Sequence, residues 1–281
     1  MPRLPDAQPV RSYSQLSQLE ACGEQYRLQR IVRAPSEPAV WFPAGTAFHT
    51  ATEMFDLAAY KNGLQQAIVL HDWGAVFTEC LGWAIANEIE SKAYNPDTGT
   101  WRSAGKPTKQ WPNGEDVSWW QEHGPDMVRA YIAWRVKTAD RYELWTDLCG
   151  TPGIEYEGTA DLGAVPVIVK VDRVFVDRGT GATIIVDLKT GRHTPASLLQ
   201  LRVYRMVLER VAAVPMWYGA YYEARKGELT TPQALDTYAE AAILERFKRA
   251  EWSIQTGVFN PRPSPDNCRQ CSFRKHCLFA E

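Results

Sequence analysis

No apolar run in this sequence reaches the roughly 20 residues that a bilayer-spanning helix needs. The opening stretch MPRLPDAQPVRSYSQ holds no apolar block of the kind that directs secretion. Both absences lead to the expectation of a cytoplasmic chain with no membrane partner. An excess of one charge is missing too: 31 Lys and Arg stand against 33 Asp and Glu, a net charge of −2. That excludes a surface that coats nucleic acid indiscriminately and leaves room for a local basic groove. The Arg- and Lys-rich stretch around Arg246, Lys248, Arg249 and Arg262 is the expected electropositive face. There is no internal repeat and no Gly-rich phosphate loop of the Walker type, so no ATP-driven motor is expected. Six cysteines are too few for a disulfide scaffold in 281 residues.

Hydrophobic residues make up 45% of the chain, ample for a buried core. Residues 1–281 are expected to form one unit in three parts. The region 14–148 reads as mainly helical, with Ser14 as an N-cap before SYSQLSQLEACGEQYRLQRIV and a second helix, GTAFHTATEMFDLAAYKNG, closed by Gly63. A Pro-, Gly- and Trp-rich insertion, about 91–117, interrupts it and is read as either a lid or a variable loop. From Gly153 the period becomes that of strands. IEYEGTADLG, VPVIVKVDRVFVD and ATIIVDLKTG are β-branched runs joined by short Gly-containing connections, which predicts an antiparallel meander in a core spanning 153–225. Helix, strand and a long helix from Pro232 to near Gly257 follow, within a C-terminal part spanning 233–281. The expected class is α/β: a mixed sheet flanked by helices, with a helical N-terminal region. Arg outnumbers Lys and Trp and Ala are plentiful, the composition of a GC-rich genome, bacterial or phage.

In TIIVDLKTGR, Asp187 and Lys189 are two apart and so share a strand face, with Val186 and Leu188 on the other. The turn at RGTGA brings Asp172 of the preceding strand toward them. Two carboxylates beside one another repel unless a cation compensates, and hard oxygen ligands suit Mg²⁺ or Mn²⁺. The plainer alternative is an Asp187–Lys189 ion pair at a strand end with Asp172 capping a turn. Glu155 and Glu157 alternate on another strand face, where a carboxylate could reach the metal, but an exposed edge strand shows the same pattern and is the preferred reading. Cys268-x2-Cys271-x5-Cys277 sets three thiols within ten residues, enough for one metal centre once a fourth ligand is added. Zinc, with His276 as a replacement ligand, and an iron-sulfur cluster are equally compatible with that spacing.

The order of these segments resembles the PD-(D/E)XK nuclease superfamily, and within it the RecB-like nucleases that carry an iron-sulfur cluster. The likeness rests on GTAFHTATE, on VDRV followed by IIVDLKTG, on QLRVY, and on LSQLEACGEQYRL with the C-terminal cysteines. It implies a restriction-endonuclease-like core with His49, Asp172, Asp187 and the main-chain carbonyl of Leu188 as ligands of one or two Mg²⁺ or Mn²⁺ ions. Lys189 would stand beside the attacked phosphate, with Gln200 and Tyr204 facing substrate and catalytic strand. Cys22 would join Cys268, Cys271 and Cys277 as a C-terminal [4Fe-4S] clasp. The implied activity is an exonuclease on single-stranded DNA, working from the 5′ side, with any unwinding left to a helicase or recombination partner. Rival readings are an endonuclease on duplex or branched DNA and a nuclease-fold DNA-binding subunit. Arg202 and Arg205 are candidates for phosphate contact, Glu53 for a role behind His49, and Trp101, Trp111, Trp119 and Trp120 for base stacking.

Overall fold

The computed structural model describes residues 9–163, 165–236 and 239–280; the remaining positions of the expected 1–281 unit, including the first eight residues of the opening stretch, lie outside the described residues. Its centre is β3, Pro166–Asp177, whose β-branched sequence makes it the longest strand. β3 pairs antiparallel with β1 (Tyr142–Leu144), β2 (Ile154–Asp161) and β4 (Thr183–Lys189). β4 then pairs in parallel with β5 (Tyr218–Glu223), and β5 antiparallel with β6 (Glu228–Leu229) and β7 (Gln233–Ala234). Among the described residues the result is one seven-stranded mixed sheet. A parallel pair requires a crossover, and α7 (Leu199–Ala212) supplies it. That connection sets the first turn of α7 just beyond the C-terminal end of β4.

Two apolar layers sandwich the sheet. On one face lie α3 (Trp41–Asn62), α4 (Leu64–Leu70), α5 (Trp73–Lys92) and α6 (Val117–Lys137). Their Phe48, Phe55, Phe77 and Tyr131 pack with Phe175, Ile184, Val186 and Leu188 of the strands. The other face carries α1 (Tyr13–Ala21), α7 and α8 (Glu240–Thr256), with Leu16, Leu201, Met206 and Phe247 against Val169, Val171 and Ile185. Burial of each such side chain stabilises the fold by about 1.5–3 kcal/mol.

Three local expectations change. The first helix starts two residues earlier, with Ser12 rather than Ser14 as its cap, and it breaks at Cys22, which is extended (φ −161°, ψ 112°) before α2 (Gly23–Tyr26) and a π-helical turn, Arg27–Val32. The break has a cause in packing. The Gly23 N–H donates to Asn260 O at 2.9 Å, and a Cβ on Gly23 would stand 2.6 Å from Asn260 N, so only glycine admits the C-terminal segment this close. The long C-terminal helix begins at Glu240, because Gln233–Ala234 is drawn into the sheet by β5; residues 237 and 238 of that expected helix lie outside the described residues. Residues 93–116 form the expected irregular insertion, closed at its end by α6, whose N-cap is Asp116.

Candidate functional site

The β3–β4 ladder ends at Arg173↔Val186, and the next position in register sets Asp172 opposite Asp187. There Asp172 Oδ2 accepts the Leu188 N–H at 2.6 Å, a side chain taking the place of the next ladder bond. On α3, one face carries His49 toward the strands, and its Nδ1 lies 3.3 Å from Asp172 Oδ1. The ring keeps 31% exposure, so the group opens to solvent on His49's side. Asp187 is buried at 3%. Its Oδ1 accepts from Gln200 Nε2 at 2.6 Å, and Gln200 Oε1 accepts from Lys189 Nζ at 3.0 Å. The amide orientation follows from the partners, since a carboxylate only accepts and an ammonium only donates. Gln200 Nε2 also donates to the Tyr204 hydroxyl at 2.7 Å, one helical turn on. The structure thus brings together His49, Asp172, Asp187, Lys189, Gln200 and Tyr204, and Val186 and Leu188 point into the opposite core as the i, i+2 reading requires.

Glu155 was read as part of an exposed edge, and the structure corrects this. Glu157 is exposed, but Glu155 turns inward: its backbone takes φ +45°, and the β2–β3 register runs Ile154↔Arg173, Tyr156↔Val171 without a Glu155–Asp172 pair. A left-handed φ at a residue other than glycine costs about 1 kcal/mol or more. In return the carboxylate reaches the site, with Oε1 3.2 Å from Arg173 Nη1 and 3.9 Å from His49 Nδ1. Arg173 is fully buried, and an arginine inside an apolar strand requires a buried acid. Its main partner is Asp56, two turns beyond His49 on α3. The Arg in VDRV and the Asp in MFDLAAY were the signals available in the sequence. Glu53 lies partly buried beside this group, and burial together with the Glu155 charge pushes its carboxyl up.

The electrostatics are those of a site short of positive charge. Desolvation works against charging His49, yet Asp172 and then Glu155 outweigh it and lift the imidazole to about 10. For Asp187, burial first and the Asp172 charge second push the carboxyl up to about 7, although Lys189 opposes them. Burial also works against ionised Asp172, but His49 and the Leu188 N–H hold its pKa down. Lys189 Nζ is 2.6 Å from Asp187 Oδ2, yet its direction makes no hydrogen bond, and that buried oxygen has no donor. His49, Glu155 and Asp172 each offer one atom within 4.8 Å of the others. This donor set of one imidazole and carboxylates, with an undonated carboxylate oxygen beside it, fits a hard divalent cation.

Other expected residues lie elsewhere. Arg205 is turned away, donating to Glu209 and to the Leu235 carbonyl, and Arg202 pairs with Asp236 at 3.5 Å. Trp101 and Trp120 are core residues, whereas Trp111 and Trp119 are only partly buried. Cys22, Cys268, Cys271 and Cys277 line one cavity, and the Cys22 sulfur accepts from the Arg262 N–H at 3.4 Å. No three of their sulfurs come within 4.8 Å of one another among the described residues. Cys80 is half-buried and Cys149 exposed.

The pattern of the PD-(D/E)XK nuclease superfamily matches residues 11–278, and the chain belongs to that superfamily. Membership makes it a metal-dependent nuclease, with DNA as the implied substrate class. It is similar to the Gene 69 protein of Mycobacterium phage D29, 29% identical over 295 residues, and to the Gene 69 protein of Mycobacterium phage L5, 30% identical over 305 residues. Each alignment covers 96% of this chain and 96% of the relative. A solved structure described as "Crystal structure of SSO0001" aligns with a TM-score of 0.31 and 16% identity, over 58% of this chain and 79% of the other. Among the described residues no helix is long and apolar enough to cross a membrane.

Proposed function

We propose that the protein is a divalent-metal-dependent exonuclease that hydrolyses single-stranded DNA from an end, in the 5′ to 3′ direction. The observation that carries this reading is Gln200 joining Asp187 to Lys189 opposite the His49–Asp172 pair. A cation held by His49, Asp172 and Asp187, with Glu155 in reach and the Leu188 carbonyl at the same strand end, would supply Lewis-acid chemistry at the phosphate and lower the pKa of a water. The chain's own residues do the rest. Lys189 sets its ammonium beside the attacked phosphate, where negative charge develops in the transition state. Gln200 fixes the spacing between that ammonium and Asp187, and the Tyr204 hydroxyl fixes the amide. The carboxylates are recessed, at 8% exposure for Asp172 and 3% for Asp187, which favours a flexible single strand over a stiff duplex.

The reading is tested with linear and circular single strands in Mn²⁺. Linear strands are expected to shorten from the 5′ end, a blocked 5′ end to stop the reaction, and circles to survive. Cutting of circles would instead assign an endonuclease.

We also propose that Cys22, Cys268, Cys271 and Cys277 hold a [4Fe-4S] cluster that clasps the two ends of the fold. Their shared cavity supports this, together with the lone-cysteine and Cys-x2-Cys-x5-Cys arrangement of the sequence. Joining residue 22 to residue 268 closes a long loop, which by analogy with a covalent cross-link stabilises the fold by up to about 5 kcal/mol. Protein purified without oxygen is expected to be brown with about four irons per chain. Cys271→Ala should lose the colour and melt at a lower temperature. Colourless protein with one zinc, or a variant that melts normally, would overturn the clasp.

A further inference from the structure

Glu115, the penultimate residue of the 93–116 insertion, is 3% exposed, and two guanidiniums converge on it. Arg225 binds both oxygens, Nη1 to Oε1 at 2.9 Å and Nη2 to Oε2 at 2.8 Å. Arg192 approaches Oε1 with Nε at 2.8 Å and Nη2 at 2.6 Å. Arg225 is fully engaged as a structural residue. Its Nε donates to the Thr190 carbonyl at 2.8 Å, and its guanidinium lies 4.9 Å and 5.4 Å from the ring centres of Trp119 and Trp120.

Arg225 alone would balance the buried carboxylate, so with Arg192 the group carries one surplus positive charge. Stability does not explain Arg192. Its side chain is 51% exposed, and an ion pair held by so exposed a partner contributes at most about 1 kcal/mol. Yet the insertion is shaped around it. Gly105 takes φ +81°, and a Cβ there would stand 2.6 Å from Arg192 Nη2. Arg192 is also three residues beyond Lys189, past the turn where β4 leaves the sheet. A guanidinium aimed by a buried carboxylate, half open to solvent and three residues past Lys189 is matched to a phosphodiester.

We propose that Arg192, aimed by Glu115, grips a phosphodiester of the DNA strand next to the bond that is cut. The proposal rests on the nuclease reading above, and the test separates the two. A fluorescent oligothymidine is titrated with Asp187→Asn protein, which binds without cutting, across about 50 to 300 mM salt. Adding Arg192→Gln is expected to weaken binding about five- to tenfold at low salt and to reduce the slope of log affinity against log salt by about 0.7, the signature of one lost phosphate contact on a single strand. Arg192→Lys should keep the slope and recover part of the affinity, because it retains the charge but not the fork. Arg178→Gln, at an exposed pair on the far hairpin, should change neither. Thermal melting should show Arg192→Gln folded as its parent, since Arg225 still satisfies Glu115. Unchanged slope and affinity in Arg192→Gln would overturn this inference alone; no binding by the Asp187→Asn parent would overturn it together with the nuclease reading.

Discussion

Asp187→Asn is expected to lower DNA cleavage by more than about a thousandfold while leaving thermal stability, measured in a chelator, unchanged or higher. Asn keeps the shape and an oxygen for the Gln200 amide, but it offers a cation no charge. The stability half follows from burial. Folding places this carboxyl where desolvation and Asp172 raise its pKa from 3.8 to about 7. A raised acid binds its proton more tightly when folded, so its cost to folding is absent below pH 4, grows between pH 4 and 7, and is fully present above 7. The Asn variant lacks that cost. Retention of a tenth or more of the activity, or a large fall in melting temperature at neutral pH, would remove Asp187 from the role assigned to it.

The largest loss of stability is expected elsewhere, at Asp56→Asn: about 3–5 kcal/mol. Asp56 is wholly buried, and its Oδ1 accepts from Arg135 Nε at 2.9 Å and its Oδ2 from Arg173 Nε at 2.6 Å and from the Tyr131 hydroxyl. Removing the charge leaves two buried guanidiniums without their shared counter-charge. Burial alone would raise this carboxyl, but Arg135, then Arg173, and the Tyr131 hydroxyl hold it below its ordinary value. With a lowered pKa the contribution is fully present above about pH 4 and is lost as pH falls through the folded value. Urea unfolding from pH 7 to pH 2 should therefore show an acid limb in the parent that is smaller in the variant. Parallel pH curves would contradict it. Activity should fall as well, because Arg173 carries the hydrogen bond that holds Glu155 in its left-handed conformation.

Asp172, Asp187 and Lys189 were legible because strand geometry is local: a period of two and one tight turn suffice to put them together. His49, Gln200 and Tyr204 took their meaning from a resemblance, since nothing in a helix period says which sheet it will meet. Glu155 was misread because its position depends on a single backbone angle, which alternation cannot reveal. Glu115 was invisible for a different reason: its partners are 77 and 110 residues away in the chain. The same limit applies to the C-terminal helix, where a two-residue pairing with β5 overrode a helical pattern, and to Cys22, where the chain breaks for a neighbour almost 240 residues distant.

That last contact bears on how the molecule comes into being. α1 is held from the far end of the sequence: Arg11 by Glu251, Glu20 by Arg246, and Gly23 by Asn260. A ribosome delivers residues 11–23 long before these C-terminal partners, so the first helix meets β3, on which Leu16 packs, before it meets the segment that clamps it. Contacts of such sequence separation are slow to form, because the loop they close must be ordered before they repay it. The clamp on α1 from the C-terminal segment is therefore a natural late step of folding. Until it closes, α1 is held by fewer contacts, and the seam it shares with α8 stays open to chaperones and proteases.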